Sequence, residues 1–293
     1  MKKLRISALV ILLILFVASA GWGVNKWQDM ILQDCIYIED DVTQTATITE
    51  INTACDGVTA TAKELNALDI DKVTMFSDFN GDLIDGTTVF LGTAGSGTSN
   101  AVAIVAGESG NLSLLSSSAD AAIGANGTSL TGDNLNWRAD SGGLVMETTL
   151  QVDNITEVII FAGFTDVGSA TVEAPLFITA GDLDSDATNA CGIVFDTAAT
   201  TDQWCHGGVK ADTDTTPAFS GTAPVNATDV TLRVEVSAAG AVTGYINGTA
   251  VGVAVAEAVT ATTALTPCVV VLNNSASART VLVDYIYVQS ARR

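Results

Sequence analysis

The stretch from Asp229 to Gly252, DVTLRVEVSAAGAVTGYINGTAVG, limits the fold more than any other part of the chain. Leu232, Val234 and Val236 alternate with Thr231, Arg233 and Glu235. Successive side chains of a strand point to opposite faces, so a period of two means one buried face and one wet face. Ser237-Ala238-Ala239-Gly240 is a short turn, with glycine available for a positive φ. Val242, Tyr245 and Ile246 follow on a return strand, with one break in the alternation near Gly244 that reads as a bulge. Asn247-Gly248 then suits the left-handed residues of a type I′ hairpin turn.

The rest of the chain agrees with a β-rich reading. Of its 293 residues, 48% are hydrophobic but only 15% charged and 6% aromatic, and 26 are glycine. A helical bundle would need more Leu, Glu and Lys. Strand candidates recur at Ala101–Val105, Leu112–Leu115, Leu144–Val152, Val158–Phe164, Leu176–Thr179, Gly192–Phe195, Gln203–Val209, Cys268–Leu272 and Val281–Val288. Their spacing of about 8–15 residues, with turn residues between, suits a sandwich rather than a βαβ sheet. Between Gly92 and Thr131 small residues dominate and read as loops around weak strands.

The text LRVEVSAAGAVTGYINGTAVG resembles the strand, turn, strand, Asn-Gly, strand pattern of concanavalin/laminin-G-like jelly rolls. Phe76-Ser77-Asp78-Phe79-Asn80-Gly81 resembles the opening strand of that architecture. Leu282-Val283-Asp284-Tyr285-Ile286-Tyr287-Val288 resembles its closing strand, which returns beside the first. Tyr285 and Tyr287 read as one core face with hydroxyls reaching the surface. The expected fold is an all-β, concanavalin-like jelly-roll β-sandwich over residues 71–293.

Three segments precede the sandwich. Residues 1–20 carry Lys2, Lys3 and Arg5, an apolar run from Ile6 to Val17, and then Ala18-Ser19-Ala20. That order fits a secretory signal cut after Ala20, with an uncleaved anchor as the alternative. The run is short for a bilayer span of about 20 residues, so no stable membrane span is expected after leader cleavage. Residues 21–44 read as an arm. Residues 45–70 read as two short helices, Thr61 and Glu64 having capping-box spacing. This segment, with Ile48-Thr49-Glu50-Ile51-Asn52, Ala54-Cys55-Asp56-Gly57, Thr59-Ala60-Thr61-Ala62 and Glu64-Leu65-Asn66-Ala67-Leu68-Asp69, resembles one found in tailed-bacteriophage structural proteins. The resemblance implies a virion protein, placed in a capsid or fibre, with copies of itself and other virion proteins as partners.

The formal net charge is −21, and loss of the three bases in residues 1–20, which hold no acid, would make it −24. Such a surface repels a phosphate backbone, so nucleic acid is not expected as a partner.

Chemistry-bearing residues are sparse. Cys35, Cys55, Cys191, Cys205 and Cys268 are odd in number and lack a C-x-x-C. Cys191 and Cys205 flank one hairpin and are a disulfide candidate, buried thiols being the alternative. His206 is the only histidine and has no G-x-S-x-G beside it. Asp182, Asp184 and Asp186, with Asn189 nearby, offer alternating oxygens of the kind calcium takes, though without the glycine and closing glutamate of an EF-hand. A solvated acidic turn is the alternative. Trp137 and Trp204 are candidate sugar-stacking residues or core residues. The glucanase-like members of the resembled fold carry a Glu-x-Asp-x-(x)-Glu strand, whereas Glu147 and Glu235 each stand alone here. An enzyme is therefore not expected. The expected function is a non-enzymatic bacteriophage structural protein located in the virion. The alternative is a secreted or surface carbohydrate-binding module that contacts glycans.

Overall fold

A computed structural model describes residues 72–79, 90–97, 99–105, 110–117, 127–132, 135–167, 172–273 and 278–291. The chain divides into two units, Met1–Leu68 and Asp69–Arg293, and every described residue belongs to the second. The expected leader, arm and helical segment lie outside the described residues, as do Cys35 and Cys55.

The described strands are, in order, β1 (Lys72–Ser77), β2 (Phe90–Ala94), β3 (Ala101–Ile104), β4 (Leu112–Ser116), β5 (Gly127–Gly132), β6 (Leu144–Val152), β7 (Val158–Thr165), β8 (Phe177–Thr179) and β9 (Asp182–Asp184). They continue with β10 (Asn189–Asp196), β11 (Trp204–Lys210), β12 (Thr213–Asp214), β13 (Ala218–Phe219), β14 (Asp229–Val236), β15 (Val242–Ile246), β16 (Thr249–Ala250), β17 (Thr266–Asn273) and β18 (Arg279–Ala291). Two antiparallel sheets result. The front sheet runs β16-β15-β14-β6-β18-β4-β3, and β1 also pairs with β18. The back sheet runs β12-β11-β10-β7-β17-β5-β2, and β13 also pairs with β11. The closing strand does return beside the first, with Met75 opposite Val288.

Burial follows the sequence differently in the two sheets. In the front sheet β6, β14 and β15 alternate between buried and part-exposed positions. Leu144, Met146, Leu150, Leu232, Val234 and Val236 turn inward to meet Ile160, Phe164, Ile193 and Phe195 of the back sheet. Each such side chain contributes about 1.5–3 kcal/mol on burial. In the back sheet β7, β10 and β17 are buried along their whole length. Their outer face is roofed by Val172, Ala174, Leu176, Ile178, Leu183 and Ala187 from the segment around β8 and β9. A strand covered on both faces has no polar face to keep, hence the unbroken apolar text of VIIFAGF. The buried carboxylate of Asp196 fastens this roof, accepting from the Ile178 amide at 2.8 Å and the Ala198 amide at 2.7 Å. Burial pushes its carboxyl up from the ordinary value.

Several expectations need correction. The small-residue stretch also contains β2 and β5, and every residue of β5 is buried. No bulge occurs at Gly244, because the register runs unbroken from Leu232 opposite Ile246 to Val236 opposite Val242. The break in alternation there has another cause. Gly244 faces inward, where an added Cβ would lie 2.9 Å from Ile193 Cγ1 and 3.0 Å from His206 Cβ, so the sheets meet too closely for a side chain. The bulge is instead in β18, where the register with β6 shifts between Val283 and Tyr285. Asp284 is the extra residue. Val281 and Val283 face inward before it, and Ile286 and Val288 after it. Tyr285 and Tyr287 are thereby turned outward, not into the core as expected.

Candidate functional site

The residues singled out in the sequence do not assemble into a site. Trp204 is fully buried, its ring 5.5 Å from that of Phe195, and Trp137 is 8% exposed in the same core. Neither offers a face to a sugar. Cys191 and Cys205 do lie on the hairpin of β10 and β11, but Cys191 stands opposite Gly208 and Cys205 opposite Val194. They belong to apolar clusters on opposite faces of the back sheet. Both are free thiols, as is Cys268. The disulfide expectation is thus overturned by strand parity.

The acidic loop is also corrected. Asp182 and Asp184 sit on β9, with Leu183 turned into the roof between them. Asp184 accepts hydrogen bonds from the Thr179 hydroxyl at 3.3 Å and the Ser185 amide at 2.9 Å. Asp186 lies beyond the strand, and burial holds its carboxyl above the ordinary value. Asp182, Asp184 and Asp186 do not converge, and among the described residues no group of three His, Cys, Asp or Glu side chains could hold a metal ion.

His206 is fully buried between the sheets. Its Nε2 lies 3.2 Å from the Val253 carbonyl, which can only accept, so Nε2 carries the proton. Nδ1 has no partner. Burial lowers its pKa below the usual 6.5. This is a core histidine, and nothing nucleophilic is bonded to it among the described residues.

A different cluster is assembled by strand pairing on the outer face of the front sheet. The register sets Phe76 of β1 opposite Tyr287 of β18, Tyr287 opposite Glu147 of β6, Glu147 opposite Arg233 of β14, and Arg233 opposite Tyr245 of β15. Residues paired across antiparallel strands share a face, so this is one continuous row. Arg233 binds both carboxylates, with Nη2 2.7 Å from Glu235 Oε1 and Nη1 3.4 Å from Glu147 Oε2. The Tyr285 hydroxyl donates to Glu147 at 2.7 Å, and the Tyr245 hydroxyl to Glu235 at 3.2 Å. Burial alone would lower the Arg233 pKa, but Glu235 and Glu147 outweigh it and hold the guanidinium above its ordinary value. Burial, and then Glu147 and Asp284, push the Tyr285 phenol up. Phe76 is 59% exposed, its ring centre 6.1 Å from that of Tyr285.

The row borders a groove of about 320 Å³ at one end of the sheet, lined in part by Lys72, Gly143, Val145, Glu235, Thr243 and Gln289. That volume lies at the lower end of the range for small-ligand sites, roughly 300–1,000 Å³. Half-exposed aromatic rings beside fixed carboxylates and a guanidinium can stack on an apolar ring face while accepting hydrogen bonds from its hydroxyls. Sequence reading separated these residues because Glu147 and Glu235 lie on different strands. The usable clue was that both occupy outward positions of well-alternating strands.

No family model and no curated protein matches this chain. Solved structures do. The carbohydrate recognition domain of Emp47p is similar over 74% of this chain and 95% of that one, with 10% identity and a TM-score of 0.51. Lectin I from Ulex europaeus, solved with the methyl glycoside of alpha-L-fucose, is similar over 75% and 98%, with 10% identity and a TM-score of 0.50. A structure described under endo-acting O-glycanases of the human gut microbiota is similar over 74% and 99%, with 11% identity and a TM-score of 0.50. At such identities the likeness is one of fold. This chain folds as a concanavalin-like jelly-roll sandwich.

Proposed function

We propose that the chain is a carbohydrate-binding module, and that it binds glycan on the outer face of the front sheet. The observation that carries this reading is the row from Phe76 through Tyr287, Glu147 and Arg233 to Tyr245, with Tyr285 and Glu235 alongside. The fold's likeness to the Emp47p carbohydrate recognition domain and to the Ulex lectin supports it. The roofed back sheet has no comparable open face among the described residues. Binding without hydrolysis is favoured because both carboxylates are tied to the same guanidinium and to a tyrosine hydroxyl, leaving neither free to move a proton to a leaving group. The site would work outside the cell, in keeping with the signal-like leader.

A glycan array probed with the purified chain tests the reading. Binding should appear and weaken about fivefold in Tyr285→Ala, since an aromatic contact is commonly worth about a kcal/mol. An array without a binder would sink it.

A second reading keeps the sandwich as a decoration on a bacteriophage particle. It rests on the resemblance of residues 45–70 to phage structural proteins. On that reading the chain assembles with copies of itself and with virion proteins. Light scattering on protein starting at Gly21, and co-purification with particles, separate the two. A monomer that never accompanies particles leaves only the secreted module.

A further inference from the structure

The charges around the tyrosines narrow the class of ligand. The outer face of the front sheet presents Glu147, Glu235, Asp229 and Asp284, against Arg233 and, at the far end of β1, Lys72. Arg233 is already spent on the two glutamates through Nε, Nη1 and Nη2. It has little left for a carboxylate, sulfate or phosphate on a ligand. Of the other described cations, Arg138 is held by Asp140, Lys210 by Glu257, and Arg279 donates through Nε to the Thr156 carbonyl. The glutamates keep capacity. Each ionised carboxylate accepts at about four lone-pair sites, and the contacts from Arg233 and the tyrosine hydroxyls use only part of them. Asp284, pushed out by the bulge beside Tyr285, is exposed. The face therefore accepts hydrogen bonds, carries excess negative charge, and holds a tilted pair of rings, Phe76 and Tyr285. Aromatic faces flanked by carboxylates attract ammonium groups through the ring quadrupole and through direct charge.

Resting on the carbohydrate-binding reading, we propose that the ligand is an amino-bearing glycan, whose ammonium group sits over the Tyr285 and Phe76 rings between Glu147 and Asp284. Anionic glycans are excluded by the same charges. The formal charge of −21 on the whole chain adds attraction at a distance but selects nothing. Selection belongs to the rings and the two nearby carboxylates.

The test uses matched pairs: short β-linked glucosamine oligomers, the same oligomers fully N-acetylated, and a polyuronate, measured by calorimetry on the full chain. The free amines should bind at least about tenfold more tightly than the acetylated form, and high salt should weaken them several-fold. Asp284→Asn, at an exposed position, should reduce that preference. Tyr285→Ala leaves the charge unchanged and should abolish it, which separates a site from general attraction of a polycation to an acidic protein. Equal or tighter binding of the acetylated oligomer, or a preference for the polyuronate, would overturn the ammonium assignment and leave sugar binding standing. An unchanged preference in Tyr285→Ala would overturn the assignment as well. Failure of all three ligands, together with an empty glycan array, would remove both.

Discussion

Ala180 and Ala211 adopt φ of +53° and +49°, inside hairpin turns that favour asparagine or glycine. The left-handed conformation costs an alanine roughly 1 kcal/mol. Ala180→Asn and Ala211→Asn should each raise stability by about 0.5–1 kcal/mol in denaturant melts, and unchanged midpoints would show that the turns bear no strain. Asn247-Gly248, by contrast, was legible from the sequence, and both residues do have positive φ. Gly244 was misread because its reason for being glycine lies on the other sheet, in Ile193 and His206, and no local pattern encodes that. Gly244→Ala should cost about 1–3 kcal/mol by forcing that contact apart. The pH behaviour of His206 has a definite sign. The unfolded imidazole titrates near 6.5 and the folded one lower, so below 6.5 the unfolded chain binds more protons. Stability from this residue is complete above that value and is lost as pH falls through the window beneath it. Melts at about pH 7.5 and 5.5 should show the loss in the native chain and a smaller one in His206→Leu.

At the scale of elements, the strands that face water on one side were readable and those covered on both sides were less so. β6 and β14 announce themselves by alternation, and the expected bounds of Leu144–Val152 agree with the structure. The sequence gives no such rhythm for β5, GTSLTG, whose hydroxyl and glycine residues mimic a loop although all six are buried. The roof around β8 and β9 was read as an acidic, calcium-like turn, because three aspartates are conspicuous while the inward Leu183 is a single letter. Its true anchor is Asp196. Asp196→Ala would strand the buried Ile178 amide and release the exposed Ala198 amide to water, costing about 1–3 kcal/mol. Hydrogen exchange should show faster exchange across residues 177–184 than in the front sheet. Equal protection would mean that apolar packing alone holds the roof.

Across the described residues, one sheet is closed on both sides and the other keeps an open outer face. That asymmetry explains why the site was invisible as a motif: its members come from β1, β6, β14, β15 and β18, and only the order of strands in the front sheet makes them neighbours. The closed sheet also keeps its thiols out of reach. Burial pushes Cys191 and Cys205 up to about 12 and Cys268 up likewise. All three should resist thiol reagents at neutral pH until the fold is opened with denaturant, as peptide mapping of labelled protein can check. The open sheet depends on counting as much as on composition. Were Asp284 paired as an ordinary strand residue, with no bulge to absorb it, the chain after Val283 would fall one step out of phase: Tyr285 and Tyr287 would turn toward the interior while Ile286 and Val288 met the water. A relative could keep each tyrosine, glutamate and arginine of the row and, by gaining one residue there beyond what the bulge absorbs, carry all of the letters and none of the surface they spell.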